Sequence, residues 1–276
     1  MLIDYHIHTD YSDDCKYPME EVVKDAISMG VKEICFTDHV DYGVKTDWDS
    51  GEEVVYKAGM ARLNVDYPRY YEEILELQQK YVDKIRIKLG MEFGVQMHTL
   101  DKYEKLFAAY PFDFIILSLH QAEDKEIWCK EFQEGKEWKE YNEKYYQEML
   151  SLVQNFKNYS VLGHIDFITR YDDNGIYPFE KVKPIIEKIL KTVIADGKGI
   201  EVNTSCYRYG LKDLTPSRAI LELYRELGGR ILTIGSDSHK REDLCNYIEE
   251  TKQELKKIGF KEYCTYEKMQ PIFHAL

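Results

Sequence analysis

The chain has 276 residues, of which 44% are apolar, and 50 Asp and Glu outnumber 37 Lys and Arg to give a formal net charge of −13. A chain of this length accommodates one α/β barrel of about 250 residues as readily as two smaller domains. The acidic balance excludes a general nucleic-acid binder and an adhesive for anionic membranes, because both reward clustered Lys and Arg.

Short apolar runs alternate with longer amphipathic ones, the pattern of repeated β-α units. In chain order, strands are predicted over 2–6, 33–37, 86–92, 114–119, 160–164, 199–203 and 230–235, with a short eighth over 261–265. Many are nearly continuous in Ile, Val and Phe, as parallel strands buried on both faces should be. Between them, helices are expected over 19–29, 70–81, 100–108, 138–156, 179–195, 216–227 and 241–258. The first stops at Gly30, a residue suited to the left-handed position after a helix. Thr215-Pro216 reads as an N-cap followed by proline at the first helical position. Residues 40–68 fit neither template and read as a long loop, functional or mobile. No linker, repeat or composition break divides the chain. The expectation is one domain over 1–276, a barrel of seven or eight parallel strands with ligands gathered at their carboxyl ends.

Ligand-type residues recur at those ends. The first strand closes with Asp4-Tyr5-His6-Ile7-His8, and the period of two points His6 and His8 the same way. The later ones close with Thr37-Asp38-His39, Gly90-Met91-Glu92, His120, His164-Ile165-Asp166 and Asp237-Ser238-His239. Six of the eight histidines lie at strand ends; His98 and His274 do not. A lone histidine there is usually a hydrogen-bonded core residue. Two period-two pairs with three further histidines and a glutamate point instead to a metal site, and imidazole with carboxylate suits Zn, Mn or Fe.

These pieces, in this order and across nearly the whole chain, resemble the polymerase and histidinol phosphatase (PHP) superfamily. More narrowly, Ile34-Cys35-Phe36-Thr37-Asp38-His39, the run from Gly163 to Tyr171, and Glu201-Val202-Asn203-Thr204-Ser205 followed by Arg208 are similar to its monofunctional histidinol-phosphate phosphatases. The resemblance implies a distorted (β/α)7 TIM-like barrel and three divalent metal ions. One would be held by His6, His8, Glu92 and Asp237, a second by the shared Glu92 with His120 and His164, and a third by Asp14, His39 and His239. Asp14 stands where some relatives place a histidine, which leaves the metal open among Zn, Mn and Fe.

The same resemblance implies hydrolysis of a small phosphomonoester, L-histidinol phosphate, in L-histidine biosynthesis. Glu92, Asp237 and His239 would be its catalytic residues, with Asp237 a candidate proton relay. Divalent ions outweigh the carboxylates that hold them, so an acidic protein accepts an anionic substrate. Arg170 and Arg208 would grip the phosphate through their planar forks; the alternative is surface arginines paired with Asp172 or Asp173. In the 40–68 loop, Asp41, Tyr42, Asp47, Trp48 and Asp49 offer acids and an aromatic wall for the substrate, or simply a solvated surface. Ser12 lies near the site or serves as a cap. The aromatic helix around Trp138, Tyr141, Tyr145 and Tyr146 reads as core packing.

Three other readings stay open. One is a superfamily member acting on another small phosphoester or a nucleotide. Another is a non-catalytic metal-binding module. The last is an amidohydrolase-type barrel, which would carry a bridging lysine where Glu92 stands. The opening residues carry no basic and apolar leader, and the most apolar stretch, 112–119, is too short for a bilayer. The six cysteines are scattered without a Cys-x-x-Cys pair, so reduced thiols in a cytoplasmic protein are expected. Sequence leaves the oligomeric state undetermined.

Overall fold

The computed structural model describes residues 1–57 and 59–276. Seven strands lie side by side in chain order: β1 (Ile3–Ile7), β2 (Glu33–Phe36), β3 (Arg86–Gly94), β4 (Phe114–Ser118), β5 (Val161–Leu162), β6 (Gly199–Asn203) and β7 (Leu232–Gly235). All the paired neighbours are parallel, so each connection must carry the chain back to the amino end. Helices α1 (Met19–Ser28), α2 (Tyr67–Lys80), α3 (Leu100–Ala109), α4 (Trp138–Asn155), α5 (Phe179–Ala195), α6 (Arg218–Glu226) and α7 (Ile248–Ile258) do most of that work. Burial of the strands on both faces accounts for their near-continuous apolar runs.

The sheet curls until β7 reaches β1, and this seam differs from the other junctions. Among the described residues the two strands share no continuous ladder and are joined at their carboxyl ends. There the Asp237 N–H donates to the His6 carbonyl at 2.8 Å and the His8 N–H to the Ser238 carbonyl at 2.9 Å. The buried Asp4 carboxylate adds a side-chain stitch, accepting from the Ser236 N–H at 2.8 Å. Gly235 permits the approach, since a Cβ there would fall 2.3 Å from the His6 Cβ. Gly235→Ala is therefore expected to cost about 1–3 kcal/mol through overpacking. Urea unfolding checks this: an unchanged midpoint would mean that the seam has slack.

The amino end of the barrel is closed by an antiparallel hairpin, β8 (Glu262–Glu267) and β9 (Gln270–Ala275). The run predicted as an eighth barrel strand is thus a strand, but outside the barrel. Alternation reveals a strand without naming its neighbour. The Tyr266 N–H donates to the Tyr5 hydroxyl at 2.8 Å, and the Tyr266 ring packs on Phe114 with centroids 5.0 Å apart. With this end plugged, a ligand reaches the interior from the carboxyl ends.

Other boundaries moved for local reasons. Helix α2 starts early because the Asp66 carboxylate caps it, accepting from the Arg69 N–H at 3.2 Å. Helix α6 starts late: Thr215-Pro216 is a cis peptide and Ser217 is the N-cap. Gly30 has φ +76°, as its place after α1 requires. The 40–68 stretch is less irregular than expected. His39–Val40 pairs with β3, and Val55–Lys57 forms a hairpin with Met60–Arg62; Ala58 lies outside the described residues. The cysteines are all unpaired. Among the described residues no helix is long and apolar enough to cross a membrane.

Candidate metal centre

The parallel barrel brings the ends of its strands to one mouth, and there the nine predicted ligands converge. Glu92, on β3, sits at the middle and divides its two oxygens between two groups. Its Oε2 lies 3.2 Å from His6 Nε2 and 3.6 Å from His8 Nε2, while Asp237 Oδ1 lies 3.6 and 3.4 Å from the same nitrogens. Its Oε1 lies 3.0 Å from His120 Nε2 and 2.7 Å from His164 Nε2. Nearer the rim, Asp14 Oδ2 lies 3.6 Å from His39 Nε2 and 3.5 Å from His239 Nε2. His39 also turns its Nδ1 to within 2.9 Å of Glu92 Oε2, at an angle outside hydrogen-bond geometry. The ring of His8 lies between those of His39 and His239, with centroids 4.2 and 4.1 Å away.

The donor chemistry fits divalent cations. The buried His6 and His8 face each other through Nε2 atoms 3.0 Å apart, and those of His120 and His164 stand 3.5 Å apart. Imidazole nitrogens and carboxylate oxygens this close satisfy one another only through protons or cations. Burial works against charge on Glu92 and Asp237, yet the surrounding histidines hold both carboxyls well below their usual range. Burial likewise opposes charge on His120, but Glu92 and Asp41 lift it to about 10. Burial, reinforced by His239 and His39, holds His8 well below its ordinary value. Protons and metal ions therefore compete for the same atoms.

An outer ring of partners aims the ligands. His6 Nδ1 bonds Glu201, whose other oxygen accepts from the His164 N–H at 3.0 Å. His8 Nδ1 meets the Ser12 hydroxyl at 3.2 Å, and that hydroxyl donates to Asp38 at 2.6 Å. His120 Nδ1 meets Asp41 Oδ1 at 2.9 Å, and His239 Nδ1 meets the Asp237 carbonyl at 3.0 Å. In each case Nδ1 is occupied and Nε2 is turned to the centre, as a metal-binding histidine requires. Asp237 adopts φ +56°, a left-handed conformation that Asp tolerates better than most residues. Its Oδ2 accepts from the Asn203 amide at 3.2 Å.

Glu201 and Asn203 entered the sequence reading only as part of a run similar to the phosphatases, with no role at the site. Their signal is the period of two that puts both on the same face of β6. Asp41, read as a candidate substrate contact, lines the cavity, with Oδ1 on His120 Nδ1 at 2.9 Å and Oδ2 on Lys45 at 2.8 Å. The rest of that set falls away from the mouth. Tyr42 packs on Tyr103, Asp47 accepts from the Tyr67 hydroxyl at 2.8 Å, and Trp48 and Asp49 are exposed.

Above the ligands lies a cavity of about 180 Å³, walled by Phe167, Arg170, Tyr171 and Tyr209 on one side and Lys45, Met60, Arg62, Glu126 and Trp128 on the other. The Arg170 guanidinium is held between the rings of Phe167 and Tyr209, at 5.2 and 5.0 Å. One nitrogen bonds Asp237 Oδ2 at 3.2 Å; its Nε and remaining Nη are buried without partners among the described residues. Arg208 is placed differently. Its guanidinium donates to the Asp237 carbonyl at 3.0 Å, pairs with Asp243 at 3.4 Å and is not part of the cavity wall.

A parallel barrel with clustered imidazoles and carboxylates at its mouth defines a metal-dependent hydrolase. Residues 4–205 match the PHP domain family, and the chain belongs to it. It is 33% identical to the histidinol-phosphatase of Lactococcus lactis subsp. lactis (strain IL1403), covering 97% of this chain and 95% of that protein. Identity to a probable histidinol-phosphatase of Thermotoga maritima is 28%, with 94% of each covered. Among solved structures, the Lactococcus lactis histidinol phosphate phosphatase complexed with Zn, L-histidinol and phosphate superposes with a TM-score of 0.83, at 32% identity and 98% coverage of both chains. A putative histidinol phosphatase from Listeria monocytogenes, at 20% identity and a TM-score of 0.72, shares the fold.

Proposed function

We propose that this chain, as a single domain over 1–276, hydrolyses L-histidinol phosphate to L-histidinol and phosphate in L-histidine biosynthesis. The observation that carries the reading is Glu92, whose two oxygens serve two histidine groups in the cavity that is also lined by an arginine with N–H donors unpartnered among the described residues. The names of the relatives and the ligands of the Lactococcus lactis complex support the choice of substrate. The proposed ligand sets are His6, His8, Glu92 and Asp237; Glu92, His120 and His164; and Asp14, His39 and His239. Ions held there supply Lewis-acid charge and make water a usable nucleophile near neutral pH.

The chain's own residues do the rest. Arg170 offers Nε and Nη to the nonbridging phosphoryl oxygens, where charge collects in the transition state. Asp237 lies beside both Arg170 and His8, placed to accept a proton from the attacking water. His239, braced on the Asp237 carbonyl, fixes Asp14 at the rim. Phe167, Tyr171 and Tyr209 limit water around the reacting phosphate. The unpaired cysteines suit the reducing cytoplasm.

The test is steady-state hydrolysis of L-histidinol phosphate beside glycerol phosphate, p-nitrophenyl phosphate and a dinucleotide, with metal analysis before and after chelation. L-histidinol phosphate is expected to have the highest kcat/KM. Chelation should cut turnover at least about 100-fold, with recovery on adding zinc or manganese. Equal rates on unrelated esters would overturn the substrate assignment, and full activity in metal-free protein would overturn the mechanism.

A further inference from the structure

A line of alternating charges runs from the metal centre into the far wall of the cavity. Asp41, which meets His120 Nδ1 through Oδ1, receives the Lys45 ammonium on Oδ2 at 2.8 Å. The same ammonium lies 2.8 Å from Asp13 Oδ1. Arg62 approaches Asp13 Oδ2 at 2.7 Å and reaches on to Glu126, which also takes Lys57 from the hairpin. The side chains of Lys45 and Asp13 are 2% exposed and that of Asp41 is 4%, so solvent screens none of them. A buried ion-pair chain is expensive to desolvate and contributes little net stability for that cost. Its position suggests another role.

We infer that Lys45 is a positioning residue for two of the three ion subsites, acting at one end through Asp41 on His120 and at the other through Asp13 on the adjacent Asp14. This rests on the ligand sets proposed above. The His120 end works by orientation. While Asp41 accepts from Nδ1–H, Nε2 is the nitrogen of His120 left facing Glu92, where an ion would displace its proton. Without Lys45, one oxygen of Asp41 loses its counter-cation and the carboxylate no longer has a fixed orientation. The Asp14 end works through the backbone. Asp13 is clamped by Lys45 on one oxygen and Arg62 on the other, which fixes the loop that presents Asp14 to His39 and His239. Both cations come from the 40–68 stretch, so its inward residues serve the metal centre from behind.

The experiment measures bound zinc per chain at buffered free zinc for wild type, Lys45→Met, Lys45→Arg, Asp41→Asn and Asp13→Asn, together with Tm of the chelator-treated proteins. Lys45→Met is expected to weaken two ions by about 10- to 100-fold each and leave the third in place. Asp41→Asn and Asp13→Asn should each weaken one, and Lys45→Arg should recover most of the loss. A purely structural lysine would lower Tm of the chelator-treated protein and leave the zinc count unchanged, which would overturn the inference. Should Lys45→Met fail to fold, the two single carboxamide variants decide: wild-type zinc binding by both overturns it. Wild type that binds no zinc overturns the metal centre and this inference together, whereas normal wild-type binding with an unaltered Lys45→Met overturns this inference alone.

Discussion

Glu92→Gln is expected to lower kcat/KM for L-histidinol phosphate by at least about 1,000-fold, the largest effect of any single change in this chain. The substitution keeps the size and shape of a fully buried side chain. It replaces one anionic oxygen with an amide that donates, directed at either His6 and His8 or His120 and His164. Whichever way the amide turns, one group loses its shared oxygen. The Ser118 hydroxyl, which donates to Oε1 at 2.7 Å, favours keeping the carbonyl on the His120 side. The ion beside His6 and His8 is then the one most weakened. Metal analysis of the same preparation should show that loss. A variant within tenfold of wild type, carrying its full metal complement, would rule out Glu92 as the shared ligand.

Arg170→Met should cost about 100- to 1,000-fold in kcat/KM, the range for removing a donor aimed at developing negative charge. The guanidinium is already buried, stacked between two rings and fixed by Asp237, so it needs no reorganisation when substrate arrives. Arg170→Lys should recover little, because a point ammonium cannot stack between Phe167 and Tyr209 while reaching both Asp237 and a phosphoryl oxygen. Arg208→Ala is the control, with an expected loss below about tenfold, since it is directed at the Asp237 carbonyl and Asp243 and is not part of the cavity wall. A loss as large as that of Arg170 would restore Arg208 to the clamp. A loss below tenfold for Arg170→Met would remove Arg170 from it.

The inner members of the proposed ligand sets were legible in sequence as residues that gather at one mouth, because the fold makes them so. A parallel barrel puts reactive groups at the carboxyl ends of strands, and strand ends can be read from apolar runs. His6, His8, Glu92, His120, His164 and Asp237 all stand at such positions. Their partners were harder. Asp41, Asp13 and Lys45 lie in connecting segments, where no period dictates direction, and an acid in a loop looks solvated until its neighbours are placed. Arg208 shows the same limit: position after a strand end suggested a phosphate contact, while the short helical turn that carries it points the guanidinium at a backbone carbonyl. Hairpin β8–β9 failed as a barrel strand because pairing is a long-range choice that local alternation leaves open.

The seam between β7 and β1 ties the life of the protein to its inorganic supply. Among the described residues, His6, His8 and Asp237 occupy the junction of the barrel that lacks a full ladder, so an ion held by the ligand set proposed above would work as a rivet across it. Binding energy at that point is also folding energy. Metal-free chain is therefore expected to open first along this line and to be cut faster by protease than zinc-loaded chain.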